Sequence, residues 1–223
     1  MRKIKVSELV EDLDIYPRGQ VDSSHVRYLG MALQGGASLP PPVIDRRSKR
    51  IIDGFHRCRC YRRIDENMEI DVIEKSYKSD ADMFREAVRL NAHHGRNLSP
   101  YDRTRCVIIA ERLGITVDQI ASELSMTVEA IGELRMERTG RMTVAGINSA
   151  VPLKRTIRHM HGRQLTERQA EANERLGGMN QLFYVNQIIE LIESGLLDTS
   201  NEKLMERLRY LIDLIGKIEG FAA

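Results

Sequence analysis

Apolar residues follow two rhythms along this chain. In the first third they alternate or form short runs: "KIKV" from Lys3, "PPPVIDR" from Pro40, "KRIIDG" from Lys49 and "MEIDVIEK" from Met68. Alternation at period 2, and short apolar runs bounded by turn residues, predict strands. The charged stretch Arg46-Arg47-Ser48-Lys49 separates the second and third runs and predicts a hairpin or paired strands. Pro40 to Pro42 force an extended entry to it. Helical spacing fits between the strands, at Ser23 to Gln34, Phe55 to Arg63 and Ser79 to His93. In the last of these, Phe84, Ala87, Val88 and Asn91 recur on one face.

From residue 97 the rhythm is helical. Ser99-Pro100 reads as an N-cap with proline at the first helical position, and Gly114 as the stop. Thr116-x-x-Gln119 is a capping box opening a short helix. Ser125-Met126 makes a tight turn into "TVEAIGELRMER", again opened by a threonine. Two short helices behind a longer one form a helix-turn-helix pattern, with Ile115, Ile120, Ala121, Leu124, Val128 and Ile131 as its expected core. Residues 141–165 are basic and broken by Gly, Ser and Pro. Residues 166–223 return to helix, with capping boxes expected at Thr166-x-x-Gln169 and Thr199-x-x-Glu202. Leu204, Leu208, Leu211, Ile215 and Ile218 then make a short heptad seam. It serves either packing within its own domain or self-association as a homodimer. The expected division is therefore 1–96, 97–140, a basic connector 141–165, and a helical C-terminal region 166–223 that is the candidate for dimerisation.

Composition adds limits. The chain has 223 residues, no tryptophan and 5% aromatics, so its cores must come from aliphatic residues, which favours helices. The net charge of +2 is unevenly spread. Leu134 to Arg163 holds seven Lys/Arg against one acid, Glu137, whereas Thr166 to the end holds ten acids against six bases. A basic middle suggests an anionic partner. Three cysteines without framework spacing fit a reducing compartment. The N-terminal "MRKIKVSELVEDLDIYPR" has no apolar core of signal-peptide length, and no membrane span stands out. A soluble cytoplasmic protein is expected, nucleoid-associated if it binds DNA.

The densest chemistry lies in "IIDGFHRCRCYRR", Ile51 to Arg63. Glycine between a strand and a helix lets backbone approach a ligand, and the first N–H groups of a helix attract anions. Gly54, His56 and Arg57 form a candidate phosphate grip. The competing reading is a basic helix in solvent, with Arg59, Arg62 and Arg63 as its outer face. Cys58 and Cys60 next to arginines admit a reactive thiol, but small core residues are the plainer reading. A lone Cys-x-Cys is poor zinc spacing, and the adjacent His93-His94 point about 100° apart on a helix, so no metal site is expected. Gly95 is expected to end that helix.

The order "IYPR" (Ile15 to Arg18), "PPVIDRR", "IIDGFHRCRCYRR", "RLNAHHGRNLSPYDR" and a helix-turn-helix resembles the ParB-like partition proteins of the ParB/sulfiredoxin superfamily, over roughly residues 1–140. The resemblance implies an α+β N-terminal ParB/sulfiredoxin-like domain, then an all-α helix-turn-helix and a helical C-terminal region. In partition proteins the N-terminal domain binds CTP with Mg²⁺ and closes a DNA clamp. The family's Gly-Glu-Arg-Arg motif falls on Gly54, Phe55, His56 and Arg57, so glycine and the final arginine match. Its Glu-Asn-x-x-Arg motif falls on Leu90 to His94, where Asn91 alone matches. Phe55 and Leu90 thus replace the acids that arrange metal and triphosphate, which leaves nucleotide binding through Arg18, Gly54, His56, Arg57, Asn91 and His93 better supported than CTP hydrolysis. Phe55 also replaces the reactive cysteine of sulfiredoxins. A free-serine kinase branch shares Asp53-Gly54-x-x-Arg57 and would need a carboxylate base, with Glu8, Glu11 and Asp14 nearby.

A DNA-reading second helix would present Thr127, Glu129, Ala130, Glu133 and Arg135. Its two glutamates oppose phosphate, so the expected DNA contacts combine Thr127 with the basic run Arg135, Arg138, Arg141, Lys154, Arg155, Arg158 and Arg163. The sequence therefore carries three readings: a DNA-binding protein with a nucleotide pocket, an enzyme of the same fold, and an adaptor without nucleotide chemistry.

Overall fold

Ile70 and Val72 alternate with Glu69 and Asp71, and only the apolar pair is buried. That alternation makes one face of a strand β4 (Glu69–Lys75), the second strand of a sheet. The structure is a computed structural model describing residues 2–93, 97–144 and 146–219. β1 (Arg2–Lys5) runs antiparallel to β4, with Ile4 opposite Ile70. β2 (Val43–Asp45) runs parallel to β4, and β3 (Ile51–Asp53) closes a hairpin with β2, giving the order β1-β4-β2-β3.

Helices cover both faces of this sheet. α1 (Ser23–Gln34) starts at Asp22, whose carboxylate accepts from the N–H groups of Ser24 and His25. α2 (Phe55–Ile64) follows β3 at once and sends Phe55 and Cys58 into a core with Ile4, Val6, Tyr16, Ile44, Ile51 and Val72. On the other face, α3 (Asp80–His93) packs Met83 and Ala87 against Ile15, Val43 and Ile52. Phe84 and Val88 of the same helix enter a second core. His93 ends α3, and its side chain lies outside the described residues, as do His94 and the expected stop at Gly95.

The second core belongs to α4 (Pro100–Arg112), α5 (Val117–Leu124) and α6 (Val128–Arg138). The capping boxes at Ser99 and Thr116 are both formed, and Ser125, in the left-handed region at φ 53°, turns α5 into α6. Ile115, Ile120, Ala121, Leu124 and Ile131 fill the core as expected. Val128 does not: it opens α6 and is 43% exposed, because the first helical turn here faces solvent.

Sequence reading missed one element. The stretch taken as a basic connector contains a hairpin, β5 (Thr139–Val144) with β6 (Ile147–Pro152), paired from Thr139↔Pro152 to Val144↔Ile147. α7 (Glu167–Arg175), with its box at Thr166, carries a buried Asn173 that donates to the Pro152 carbonyl and accepts from the Lys154 N–H. The chain divides into two compact units after Gly178. The second holds α8 (Gln181–Glu193) and α9 (Glu202–Ile215), and neither helix contains a buried residue. The box expected at Thr199 is not formed. Asn201 caps α9 through the Leu204 N–H, while Asp198 binds the Ser200 N–H and hydroxyl, so the turn closes two residues later. Among the described residues no helix is long and apolar enough to cross a membrane.

Candidate functional site

The chain reverses at Gly54, the N-cap of α2, with φ +99° and ψ 23°. Only glycine takes this conformation without strain. Space demands it too: a Cβ at Gly54 would lie 2.8 Å from Pro42 Cβ and 3.0 Å from Arg57 Nη2. No side chain caps α2 at this end. A cleft of about 360 Å³ opens here, lined by Tyr16, Arg18, His25, Leu29, Leu39, Pro40, Asp53, Gly54, Phe55, His56, Arg57, Leu90 and Asn91. Five of six sequence-predicted nucleotide residues, Arg18, Gly54, His56, Arg57 and Asn91, therefore line one cleft.

Their partners define what they are free to do. Arg57 donates to the Pro40 carbonyl (2.6 Å), the Pro41 carbonyl (3.3 Å) and the Asp53 carboxylate (2.6 Å). It clamps the proline loop onto the strand end. Asp22 N–H donates to His56 Nε2 at 3.1 Å. His56 thereby joins the start of α1 to the start of α2. His25 meets it edge-on, with ring centroids 4.9 Å apart. Asn91 lines the cleft, and its Nδ2 donates to the Ala87 carbonyl. Phe55 stacks on Tyr16 at 4.2 Å and gives the cleft an apolar floor. The Tyr16 hydroxyl is buried with no hydrogen-bond partner among the described residues, and burial pushes its pKa upward. A neutral donor held there suits a polar ligand atom.

The cysteines are not redox groups of this site. Cys58 is buried, and burial pushes its thiol up to about 12. Burial raises Cys60 and Cys106 as well. The outer face of α2 is not simply solvated either. Glu11 takes Arg59 (2.7 Å) and Arg62 (2.6 Å), and Arg62 also donates to the Leu9 carbonyl.

One loop joins the cleft to the helix-turn-helix. Arg18 Nη1 donates to the Asn97 carbonyl (3.3 Å), and Gly19 N–H to the Asp102 carboxylate (2.9 Å). Cys106 Sγ donates to the Pro17 carbonyl (3.4 Å), and Tyr101 sits where a Cβ on Gly19 would be.

The basic residues divide by their partners. Thr127 is the N-cap of α6, accepting from the Ala130 N–H. Arg135 pairs with Glu111 at 2.8 Å. Lys154 Nζ donates to the carbonyls of Glu174 and Leu176 and lies over the Tyr101 ring, and burial lowers its pKa. These three are fasteners. Arg138, Arg155 and Arg158 cluster where α6 ends: burial and the charges of Arg158 and Arg155 depress Arg138, and Glu137 pairs with Arg158. Arg141 stands exposed on β5.

Sequence reasoning named Asp53 only through the Asp-Gly-x-x-Arg pattern and missed Tyr16, His25, Leu29 and Leu39. The i,i+4 spacing of Asp53 and Arg57 was the available signal for their ion pair. The hairpin was signalled by alternation on both sides of Gly146, which has φ +81°.

Fold and site together define an α+β domain joined to a helix-turn-helix and a helical end, the class read from the sequence. No protein-family model matches the chain. It is similar to the transcriptional regulator NovG of Streptomyces niveus, with 31% identity over 102 residues. That match covers 45% of this chain and 30% of the relative, so the chain spans under a third of the relative's length. Among solved structures it is similar to the chromosome-partitioning protein ParB from Caulobacter crescentus, complexed to the centromeric parS site. That likeness has 15% identity and a TM-score of 0.45, covering 61% of this chain and 71% of that one. The same protein with CTP-gamma-S gives 14% identity and a TM-score of 0.37 over 60% and 77% of the two chains. A pNOB8-like ParB N-domain gives 15% and 0.38 over 89% and 65%.

Proposed function

We propose that this chain is a ParB-like protein that binds duplex DNA and holds a nucleotide-type ligand in the Gly54 cleft. The carrying observation is the loop Tyr16–Gly19, which lines the cleft and is bonded to α4 of the helix-turn-helix. A phosphate drawing Arg18 away from the Asn97 carbonyl acts directly on α4. The positive-φ turn, the uncapped start of α2 and the Tyr16 hydroxyl suit a phosphate or nucleotide polar atom. Its relatives bear names of transcriptional regulation and chromosome partition, and one was solved with CTP-gamma-S. Transcriptional control or DNA partition, including plasmid or phage maintenance, is the matching role.

The residues support binding rather than turnover. Phe55 and Leu90 offer no carboxylate, and Asp53 is engaged by Arg57. Mg²⁺ would arrive with the triphosphate. In the second unit, Leu204, Leu208 and Ile215 of the heptad seam are half-buried, Leu211 is exposed and Ile218 lies beyond α9. Exposed Leu182, Val185, Ile192 and Ile212 leave apolar surface that pairing of two copies would cover, making a homodimer.

The test is duplex binding followed by anisotropy against salt, with thermal melts over CTP, ATP and ADP with Mg²⁺. Binding that weakens steeply with salt is expected, together with a melting rise for one nucleotide corresponding to about 2.7 kcal/mol at 100 Kd. Failure to bind duplex DNA near about 50 mM salt, or binding indifferent to salt, overturns the DNA reading. A flat nucleotide panel leaves the adaptor reading instead.

A further inference from the structure

We propose that the β5–β6 hairpin, rather than helix α6, is the element that enters a groove of duplex DNA. This deepens, and rests on, the DNA-binding reading above. The hairpin leaves α6 without a linker, since Arg138 ends the helix and Thr139 begins β5. Its base is fixed from several sides. Leu153 N–H donates to the Arg138 carbonyl, and Gly140 packs so closely on Leu165 and Leu153 that a Cβ there would lie 2.2 Å from Leu165. Residues 163–165 add to the outer edge of β5 through Arg141 N–H to the Arg163 carbonyl and Leu165 N–H to the Arg141 carbonyl. The far end is open: Ile147, Asn148 and Ser149 are exposed, Ile147 at 68%.

Size fits. Six paired positions per strand span about 20 Å at roughly 3.3 Å per residue. A two-stranded ribbon enters the B-form major groove, which is about 12 Å wide.

Charge favours the hairpin over the helix. Residues 138–165 contain no acid and six Lys/Arg. The exposed side chains of α6 include Glu129 and Glu133, which phosphates flanking a groove repel. Arg138, Arg155 and Arg158, set together at the hairpin base with Glu137 as their near acid, suit the phosphates at the groove edge.

The chemistry matches base edges. The register puts Arg141, Thr143 and Asn148 on one face of the ribbon. Thr143 and Asn148 are hydrogen-bonded to each other, and Gln164 Nε2 donates to Thr143 Oγ1 at 3.0 Å, so these groups are held before any partner arrives. Arg141 pairs with no carboxylate among the described residues. Arginine and asparagine are the side chains that read guanine and adenine edges bidentately.

The experiment compares the full chain with Arg141→Ala, Asn148→Ala and the Glu129→Gln/Glu133→Gln pair. Binding to a labelled random duplex of about 30 base pairs is followed by anisotropy across salt, with a duplex RNA of the same length alongside. Both hairpin side chains are exposed, and melting curves check that each variant is folded. Arg141→Ala is expected to weaken DNA binding about tenfold, while the glutamine pair changes affinity less than about threefold. Amide exchange along 142–149 is expected to slow on adding DNA. Wild-type-like binding by both hairpin variants overturns this inference and leaves DNA binding standing. So does an equal loss on RNA, whose deep, narrow major groove excludes a ribbon. A wild-type chain that binds no duplex overturns the DNA-binding reading itself.

Discussion

Gly54→Ala tests whether the turn that builds the cleft is as constrained as its geometry says. Two costs add. An L-residue in the left-handed region loses about 1–2 kcal/mol, and Gly54 sits there at φ +99°. The new Cβ would also lie 2.8 Å from Pro42 Cβ, a ring atom that cannot swing aside, and against the Arg57 guanidinium. Overpacking of that kind costs about 1–3 kcal/mol. The sum is about 2–5 kcal/mol, which at roughly 2–4 °C per kcal/mol lowers Tm by about 4–20 °C. Gly114→Ala is the internal control. Gly114 has φ +70° but nothing within 4 Å of its would-be Cβ, so only the backbone cost applies. Its expected loss is about 1 kcal/mol, because alanine also restricts the unfolded chain. Thermal melts of the two variants, read by circular dichroism, measure the difference. Equal losses would refute the close approach of Pro42 and Arg57, and a Gly54→Ala melt within about 1 °C of wild type would refute the turn itself.

Three further outcomes follow from particular contacts. Arg57→Lys replaces a fork that serves Asp53, Pro40 and Pro41 by a single ammonium, and is expected to cost about 1–3 kcal/mol in denaturant melts; an unchanged midpoint would exclude the clamp. Cys58, Cys60 and Cys106 are buried with raised thiol pKa values, so a thiol reagent at about pH 8 is expected to label them only after unfolding; stoichiometric labelling of the native chain within minutes would contradict this. The Glu86 carboxyl is held below the ordinary carboxylate range, first by Arg89 and then by Lys75. A depressed acid stabilises the fold above its unfolded pKa of about 4.3 and ceases to do so as pH falls through its native value. Glu86→Gln is therefore expected to melt lower than wild type at pH 7 and to converge with it as acid protonates the native carboxyl; a gap that stays constant as pH falls would count against the ion pair.

The sequence announced its elements where local chemistry is decisive. Ser99, Thr116, Thr127 and Thr166 all cap the helices they were expected to cap, because a side-chain oxygen near orphan N–H groups works the same way in any surroundings. Thr199 failed because Asn201, two residues on, is an equally good cap, and a one-dimensional pattern does not say which turn closes first. The β5–β6 hairpin was hidden for another reason. Its two strands alternate, but Gly140, Gly146 and Pro152 break the runs, and its base is held by Leu153, Leu165 and Asn173 from outside it. The motif Gly54-x-His56-Arg57 was legible as a glycine turn between strand and helix. Its partners were not, since Pro40 and Asp22 lie far along the chain from the residues they bind.

Those partners change what the motif means. Read as a list of residues, His56 and Arg57 are two cations offered to a phosphate. In the structure each already spans two elements: His56 ties α1 to α2, and Arg57 ties the proline loop to β3. A ligand entering the cleft therefore competes with internal bonds rather than meeting free charges. Competition of this kind lowers affinity, but it couples binding to shape, because a ligand shifts an equilibrium only by its differential affinity for two arrangements. The same holds for Arg18, whose bond to the Asn97 carbonyl lies just before the N-cap of α4. Arg57 acts within the α+β domain, whereas Arg18 reaches outside it to the helix-turn-helix. Arg18 is thus a cleft residue whose bond would carry occupancy to the start of the helix-turn-helix.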